Sequence, residues 1–376
     1  MSRSKSNPKI VISGYYGYDN CGDEAVLMSI IHCLRTLRPD VKITVLSGNP
    51  EKTRAVYGVD AVNRWNLVAI KIALLRAHLL ISGGGSLIQD VTSVRSPSYY
   101  LGIIRLALLM QKKVIIYSQG VGPIITQKNR EKTSKVFNRC HAITLRDEGS
   151  AALLSEIGVT KNLNVTCDPV LALNRDHVSP DLIHSLTCEL GLNTQDGKKK
   201  APLLFVSVRN WKDDRHFEPI AKFLDAQAAN GWNILLVPAH FPQDVNASAL
   251  LRQKMEAEAI LIERCLSAHE FLALTAIADN VFSMRLHGLI CAMAVGTPMV
   301  GLSYDPKVDA FMEKMGLSRF CLSFDDFNVQ KAISMMDALH VETESGSSSY
   351  AHAMETHRQE LHKLAWDTAK IANALL

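Results

Sequence analysis

Short runs of aliphatic and β-branched residues alternate with helical patterns along the whole chain. Residues 9–13 (KIVIS), 42–46, 78–82 (HLLIS), 114–117 (VIIY) and 142–145 predict strands, and 164–167 leads into another. Between them, 22–37, 67–77, 100–110, 127–139 and 150–157 carry the helical spacing. The apolar runs have no polar face, the pattern of strands buried on both sides of a parallel sheet. Alternating β and α elements predict a doubly wound α/β domain.

The second half repeats the scheme. Strands are predicted at 203–208, 233–237, 260–262, 281–284, 299–302 and 319–322, with helices in the intervals, such as 217–229 and 271–278. The join, near 174–201, holds Pro180, a short amphipathic helix at 181–190 and a polar run at 193–200. A Gly/Ser segment at 346–349 precedes a last helix. The expected organisation is an N-terminal Rossmann-like domain over 1–175, a linker over 176–200, a C-terminal Rossmann-like domain over 201–349 and a C-terminal helix over 350–376. Two such domains place a cleft between the carboxyl edges of two sheets, where α/β proteins bind ligands. The nearest common architecture is GT-B-like, although the pattern alone does not separate it from other pairs of Rossmann domains.

Composition narrows the function classes. Of 376 residues, 47% are hydrophobic and 21% charged, which excludes a disordered chain. The net charge of +4, from 41 Lys and Arg against 37 Asp and Glu, is too small for a dedicated nucleic-acid binder. No run reaches the roughly 20 apolar residues of a membrane span. The candidates at 66–82 and 101–110 are broken by Lys71, Arg76 and His78, and by Arg105. The opening residues lack the apolar core of a signal peptide, so a cytoplasmic protein is expected. The eight cysteines are scattered without a CxxC spacing and read as reduced, mostly buried thiols.

Candidate chemistry sits at strand ends. Residues 14–24 (GYYGYDNCGDE) follow the first strand and open a helix. Glycines permit a tight turn there, and helix-start amides suit an anion or a sugar hydroxyl. The spacing is not GxGxxG, and a plain turn capped by Asp23 or Asn20 is an equal alternative. The run 82–86 (SGGGS) lets backbone N–H groups converge on a ligand, or lets chains pack closely. Gln119 opens QGVGP at another strand end, and Arg146 precedes Asp147 at the next. Arg146 is either a capping ion pair or a clamp for carboxylate or phosphate.

In the second half, Arg209 (SVRNW) and His240 (PAH) end two strands, and residues 283–288 (SMRLHG) end a third. That hexad puts Arg285 and His287 at a helix start, where the dipole and the guanidinium both favour an anion and His can move a proton. Gly288 permits close backbone approach, and Lys307 lies at the next strand end unless it is a solvated surface lysine. Three Arg, two His and one Lys then face one cleft, which asks for a small, strongly anionic ligand carrying phosphate. No carboxylate pair has metal-ligand spacing, so neither a metal nor a cofactor is expected.

At these segments the chain resembles the polysaccharide pyruvyl transferase family, and within it the CsaB-type enzymes of cell-wall polysaccharide. The matching runs are GYYGYDNCGDEAVL, LLISGGGSLIQD, SQGVGP, TLRDEGSAALL, SVRNW, SMRLHGLICA and GTPMVGLSYDPKV. The resemblance implies a GT-B-like fold and transfer of the pyruvyl group of phosphoenolpyruvate (PEP) to two hydroxyls of one sugar, with release of phosphate. It also implies a lipid-diphosphate-linked acceptor, an N-acetylmannosamine residue ketalated at positions 4 and 6, in a secondary cell-wall polymer that anchors S-layer proteins. With that guidance Arg209, Arg285, Leu286, His287, Gly288 and Lys307 are assigned to PEP, and His287, Arg285 and Arg146 to catalysis. Tyr16, Asp19, Asn20, Asp23, Gly84, Gly85, Gln119 and His240 are assigned to the acceptor. A transient membrane contact is expected through Arg64, Trp65, Lys71 and Arg76, at the inner face of the cell membrane. A nucleotide-sugar glycosyltransferase and a non-enzymatic anionic-glycan binding module are the competing readings.

Overall fold

The computed structural model describes residues 7–91, 93–192, 201–211, 216–344 and 349–376. The polar run at 193–200 and residues 346–348 of the Gly/Ser segment lie outside the described residues. The chain divides into two compact units. One holds the residues up to Tyr18, Asp23–Ala172 and Leu361–Leu376, and the other holds Asp19–Gly22 and Leu173–Glu360.

The first unit is a parallel sheet of β1 (Lys9–Tyr16), β2 (Lys42–Ser47), β3 (Asp60–Asn63), β4 (Leu79–Ser82), β5 (Gly85–Ile88), β6 (Lys113–Val121), β7 (Ala142–Leu145) and β8 (Leu163–Val165). Their order is β3-β2-β1-β4-β6-β7-β8, with β5 pairing to β6. The connecting helices are α1 (Cys21–Leu37), α2 (Pro50–Tyr57), α3 (Leu67–Arg76), α4 (Ser96–Leu109), α5 (Gln127–Phe137) and α6 (Glu148–Glu156). Val11, Leu80, Val114 and Ile143 line one face of the sheet and pack with Ile70, Leu74, Leu101 and Ile104 of the helices. Burial on both faces is why these strands read as unbroken apolar runs.

Two elements escape the hydrophobic pattern. Helix α2 buries only Thr53 and Tyr57, and depends instead on Pro50 in its first turn and on Asn49, whose side chain accepts the Lys52 N–H. Strand β3 is a four-residue edge strand. Two predicted strands end too early. β1 continues through Tyr16 and β6 through Val121, so Tyr16 and Gln119 lie within strands rather than in the turns after them. Gln119 is held there by pairing to Leu145 and Gly85.

The second unit contains α7 (Pro180–Glu189), β9 (Leu203–Ser207), α8 (Phe217–Ala229), β10 (Asn233–Leu236), α9 (Gln243–Lys254), β11 (Ile260–Leu261) and α10 (Ala268–Ile277). It continues with β12 (Asn280–Ser283), α11 (Leu286–Val295), β13 (Met299–Ser303), α12 (Pro306–Lys314), β14 (Cys321–Ser323) and α13 (Val329–Glu344). Its parallel strands run in the order β11-β10-β9-β12-β13-β14. The last helix, α14 (Ser349–Ala374), begins in the second unit and supplies the first with residues from Leu361 onward. There Thr368 shares a hydroxyl network with Ser118 and Thr166.

In each unit the strand order reverses once, between β1 and β4 and between β9 and β12. Ligands of open α/β sheets sit outside the carboxyl ends of the strands at such reversals. Both reversals coincide with sequence motifs, GYYG and SGGGS in the first unit, SVRNW and SMRLHG in the second.

Candidate functional site

In the second unit Ser207 pairs with Ser283 across β9 and β12. Arg209 and Arg285 each follow two residues later, so both guanidinium stems leave the sheet at one level. Helix α11 begins at Leu286, which makes Arg285 its N-cap and His287 part of its first turn. Among the described residues the Arg285 side chain makes no capping hydrogen bond, and the Gly288 N–H donates to Arg285 O instead. A Cβ on Gly288 would lie 2.5 Å from Ser283 Oγ, which is why this helix start carries glycine.

Arg285 is oriented by a residue that the motif reading passed over. Its Nε donates to Asp244 Oδ2 at 2.8 Å, and its Nη2 donates to the other carboxylate oxygen. The Asp244 side chain is 2% exposed and that of Arg285 17%. Asp244 Oδ2 also accepts the His240 N–H at 3.0 Å, which ties the loop after β10 to the guanidinium. The signal for Asp244 was an acid in the first turn of a helix four residues beyond His240.

Arg209 lies in an aromatic box. Its guanidinium carbon is 5.6 Å from the Trp211 ring centroid and 5.2 Å from that of Tyr304, and Nη1 donates to Tyr304 Oη at 3.0 Å. Its buried Nε has no hydrogen-bond partner among the described residues. Asp305 caps α12 and accepts the Lys307 N–H at 2.9 Å, so Lys307 stands in the first turn of that helix.

Residues 19–22 complete this edge. Asn20 bridges His240, the Cys21 N–H donates to Ala239 O, and the Phe241 N–H donates to Asp19 O. Asp19 has a φ of +56°, tolerable for Asp, which turns the chain into this pairing. A Cβ on Gly22 would strike the His287 imidazole, so glycine here makes room for that ring. Asp19, Asn20, His240, Arg285 and His287 are thus assembled in one unit from three separate segments.

The first unit gathers a different set. Tyr16 is fully buried, and its hydroxyl fills the place that a Cβ on Gly83 would need. Burial, and then the Asp23 and Glu24 carboxylates, push its phenol well above the usual range, so it remains a donor. Gln119 Nε2 donates to Ser82 Oγ and Gly83 O. Neither Tyr16 Oη nor Gln119 Oε1 has a partner among the described residues, one able to donate and the other to accept. Gly85, at φ +86°, brings its backbone against Asp23 Oδ1. Gly84 serves packing: a Cβ there would meet Val26 and Pro169 at 3.0 Å.

Arg146 belongs to this unit, with its side chain 7% exposed. It donates to Ser86 Oγ at 2.9 Å, pairs with Asp168 at 3.3 Å and lies 3.5 Å from Asp147. The guanidinium lies over Gly120, where a Cβ would be 2.6 Å from Nε. The contact with Asp147 is the capping ion pair, since Asp147 also caps α6 by accepting the Ser150 N–H. Arg64 corrects the expected membrane contact. It is only 4% exposed, donates to Gly14 O and lies 4.2 Å from the Tyr99 ring centroid, so it cannot meet a lipid surface. Asp90, beside the glycine run, accepts from Ile125, Thr126 and Asn129 and is a structural anchor.

Comparison with solved structures fixes the class. Over 97% of this chain and 99% of the other, the fold is similar to Anabaena HepE in complex with UDP-glucose, with a TM-score of 0.63 at 14% identity. It is also similar to a putative UDP-N-acetylglucosamine 2-epimerase from Listeria monocytogenes, with a TM-score of 0.62 at 13% identity over 92% of this chain and 91% of that one. The protein is of the GT-B-like class, two parallel-sheet α/β units with a helical C-terminus. The chain is 20% identical to the amylovoran biosynthesis protein AmsJ of Erwinia amylovora, over 96% of this chain and 99% of that protein. The polysaccharide pyruvyl transferase family profile matches residues 20–306, and the chain belongs to that family and is a transferase.

Proposed function

We propose that the protein transfers the pyruvyl group of PEP to two hydroxyls of one sugar in a polysaccharide precursor. The observation that carries this is the pair Arg209 and Arg285, each two residues beyond the paired ends of β9 and β12, beside the start of α11 and His287. PEP carries a phosphate and a carboxylate, and two Arg residues with fork geometry match two planar or tetrahedral anions. The buried Nε of Arg209, which has no hydrogen-bond partner among the described residues, suits one of them.

A proton adds to the CH2 carbon of PEP, making the methyl group, while a sugar hydroxyl oxygen bonds to the central carbon. The C–O bond to phosphate breaks, and the second hydroxyl closes the ketal. One hydroxyl proton replaces the proton spent on the methyl group, and the other leaves with phosphate. His287, in the first turn of α11, is the proton carrier in this reading, and Arg285 and Arg209 hold the donor with Leu286, Gly288 and Lys307 around it. Tyr16, Gln119, Asp23, Gly84 and Gly85 are assigned to the acceptor, Tyr16 Oη and Gln119 Oε1 each lacking a partner among the described residues. Asp19, Asn20 and His240 are assigned to the acceptor as well, and Arg146 to catalysis. The preferred acceptor is an N-acetylmannosamine residue on a lipid-diphosphate-linked wall precursor, the CsaB-type substrate that serves S-layer anchoring. Such a precursor lies at the inner face of the cell membrane, which the protein visits from the cytoplasm.

The likeness to HepE in complex with UDP-glucose favours one competitor, glycosyl transfer from a nucleotide sugar. The two readings part on a single assay. Phosphate release from PEP that depends on sugar acceptor supports pyruvyl transfer, whereas acceptor-dependent release of UDP from a UDP-sugar supports the competitor.

A further inference from the structure

Helix α3 has the sequence LVAIKIALLR, with eight apolar residues, two basic ones and no acid. A helix that is apolar on every side normally lies inside a core or in lipid. This one buries only Ile70 and Leu74. On its outer side Leu67, Val68, Ile72 and Leu75 are 62%, 68%, 45% and 61% exposed. At a spacing of four residues they form two adjacent rows, Leu67–Lys71–Leu75 and Val68–Ile72–Arg76. Each row is apolar with one cation, and both cations are exposed. Lys112 adds a third positive charge, its Nζ donating to Leu75 O at 2.8 Å.

Trp65, just before the helix, is 65% exposed. It is nonetheless packed, with its ring centroid 5.1 Å from that of Tyr99, and its backbone N–H donates to Asn63 Oδ1. An outward Trp beside an apolar, cationic helix face is the composition of an interfacial membrane contact.

We infer that α3 and Trp65 dock the protein on an anionic lipid surface, with α3 lying in the plane of the headgroups. Charge decides between this occupant and a second copy of the chain. Two-fold pairing of α3 with itself would bring Lys71 and Arg76 of both copies into one apolar contact with no acid on the helix to offset them, whereas anionic headgroups would neutralise them. The inference stands on the distribution of exposed side chains and does not depend on the identity of the acceptor.

The test is sedimentation of the full chain with vesicles of phosphatidylglycerol and phosphatidylcholine, alongside vesicles of phosphatidylcholine alone. Wild type should bind the anionic vesicles, lose binding as salt rises, and bind the neutral ones far less. Lys71→Gln should lower partitioning about fivefold, as expected for roughly 1 kcal/mol per surface cation, and Leu75→Glu at least tenfold. Unchanged thermal unfolding of both variants shows that the fold is intact, as their exposure requires. Absence of binding to anionic vesicles at low salt, or equal binding by wild type and both variants, overturns the inference. So does a wild-type dimer that Leu75→Glu converts to monomer. Because the readout is vesicle binding, its failure leaves the pyruvyl-transfer reading untouched.

Discussion

Replacing Asp244 by Asn tests whether Arg285 acts as an oriented group. Asp244 is almost fully buried, and it receives two guanidinium N–H groups and the His240 N–H. Asparagine keeps the shape and one acceptor oxygen, which can retain the His240 contact. It loses the charge and turns an NH2 toward the guanidinium, donor against donor. Removing one partner of a buried ion pair outright costs about 3–5 kcal/mol, and Arg285 keeps some access to water, so Asn should cost less, about 1–3 kcal/mol. Urea unfolding of the full chain reads that loss. The functional effect is separate. A guanidinium released from its carboxylate no longer presents its remaining donors in one direction, and misplacement by about 1 Å can cost on the order of 10²-fold. PEP-dependent turnover of Asp244→Asn, measured where the variant is fully folded, should therefore fall by ~10–100-fold. Wild-type stability together with wild-type kcat/KM for PEP would refute the reasoning.

His287→Gln should keep near-normal PEP affinity and lose ketal formation by ~10²-fold or more, because a proton carrier matters only in the transition state; a raised KM with unchanged kcat would make His287 a binding residue. Asp90 gives a pH signature: burial alone would raise its carboxyl, yet the Ile125 N–H, the Thr126 hydroxyl, the Asn129 amide and the Thr126 N–H hold it below its ordinary value of 3.8. A lowered folded value means that its stabilisation is complete above about pH 4 and is lost as the pH falls further. Asp90→Asn should thus cost about 1.5–3 kcal/mol at pH 7 and flatten that acid limb in denaturant melts taken from pH 7 to pH 3.

The fold was legible because burial on both faces of a parallel sheet writes itself as unbroken apolar runs, as at 9–13 and 203–208. What escaped was held by other forces. Helix α2 depends on Pro50 and an Asn49 cap, and α10 starts at Ala268 through a capping box between Ser267 and Glu270, ahead of the apolar pattern at 271. Strand–helix junctions placed Arg209, Arg285 and His287 correctly at sheet edges, since glycine and charge are concentrated there. Asp244 stayed hidden because its partner lies 41 positions away, and no local spacing reports an ion pair of that range. Asp168, which pairs with Arg146 from 22 positions away, escaped for the same reason. Arg64 was misplaced because a basic residue beside Trp suggests a surface, while its cation is in fact packed against four aromatic rings.

The central claim is that the carbon skeleton of PEP ends up in a ketal on the sugar. Incubating the protein with PEP labelled with ¹³C at its central carbon, in D2O, with an N-acetylmannosamine-terminated lipid-diphosphate acceptor, tests it by NMR. The account predicts a labelled quaternary ketal carbon bonded to two sugar oxygens, an adjacent methyl group carrying deuterium, and one phosphate released per ketal. Label that remains in PEP or appears only as free pyruvate, while a UDP-sugar supplied to the same protein is consumed, would contradict it.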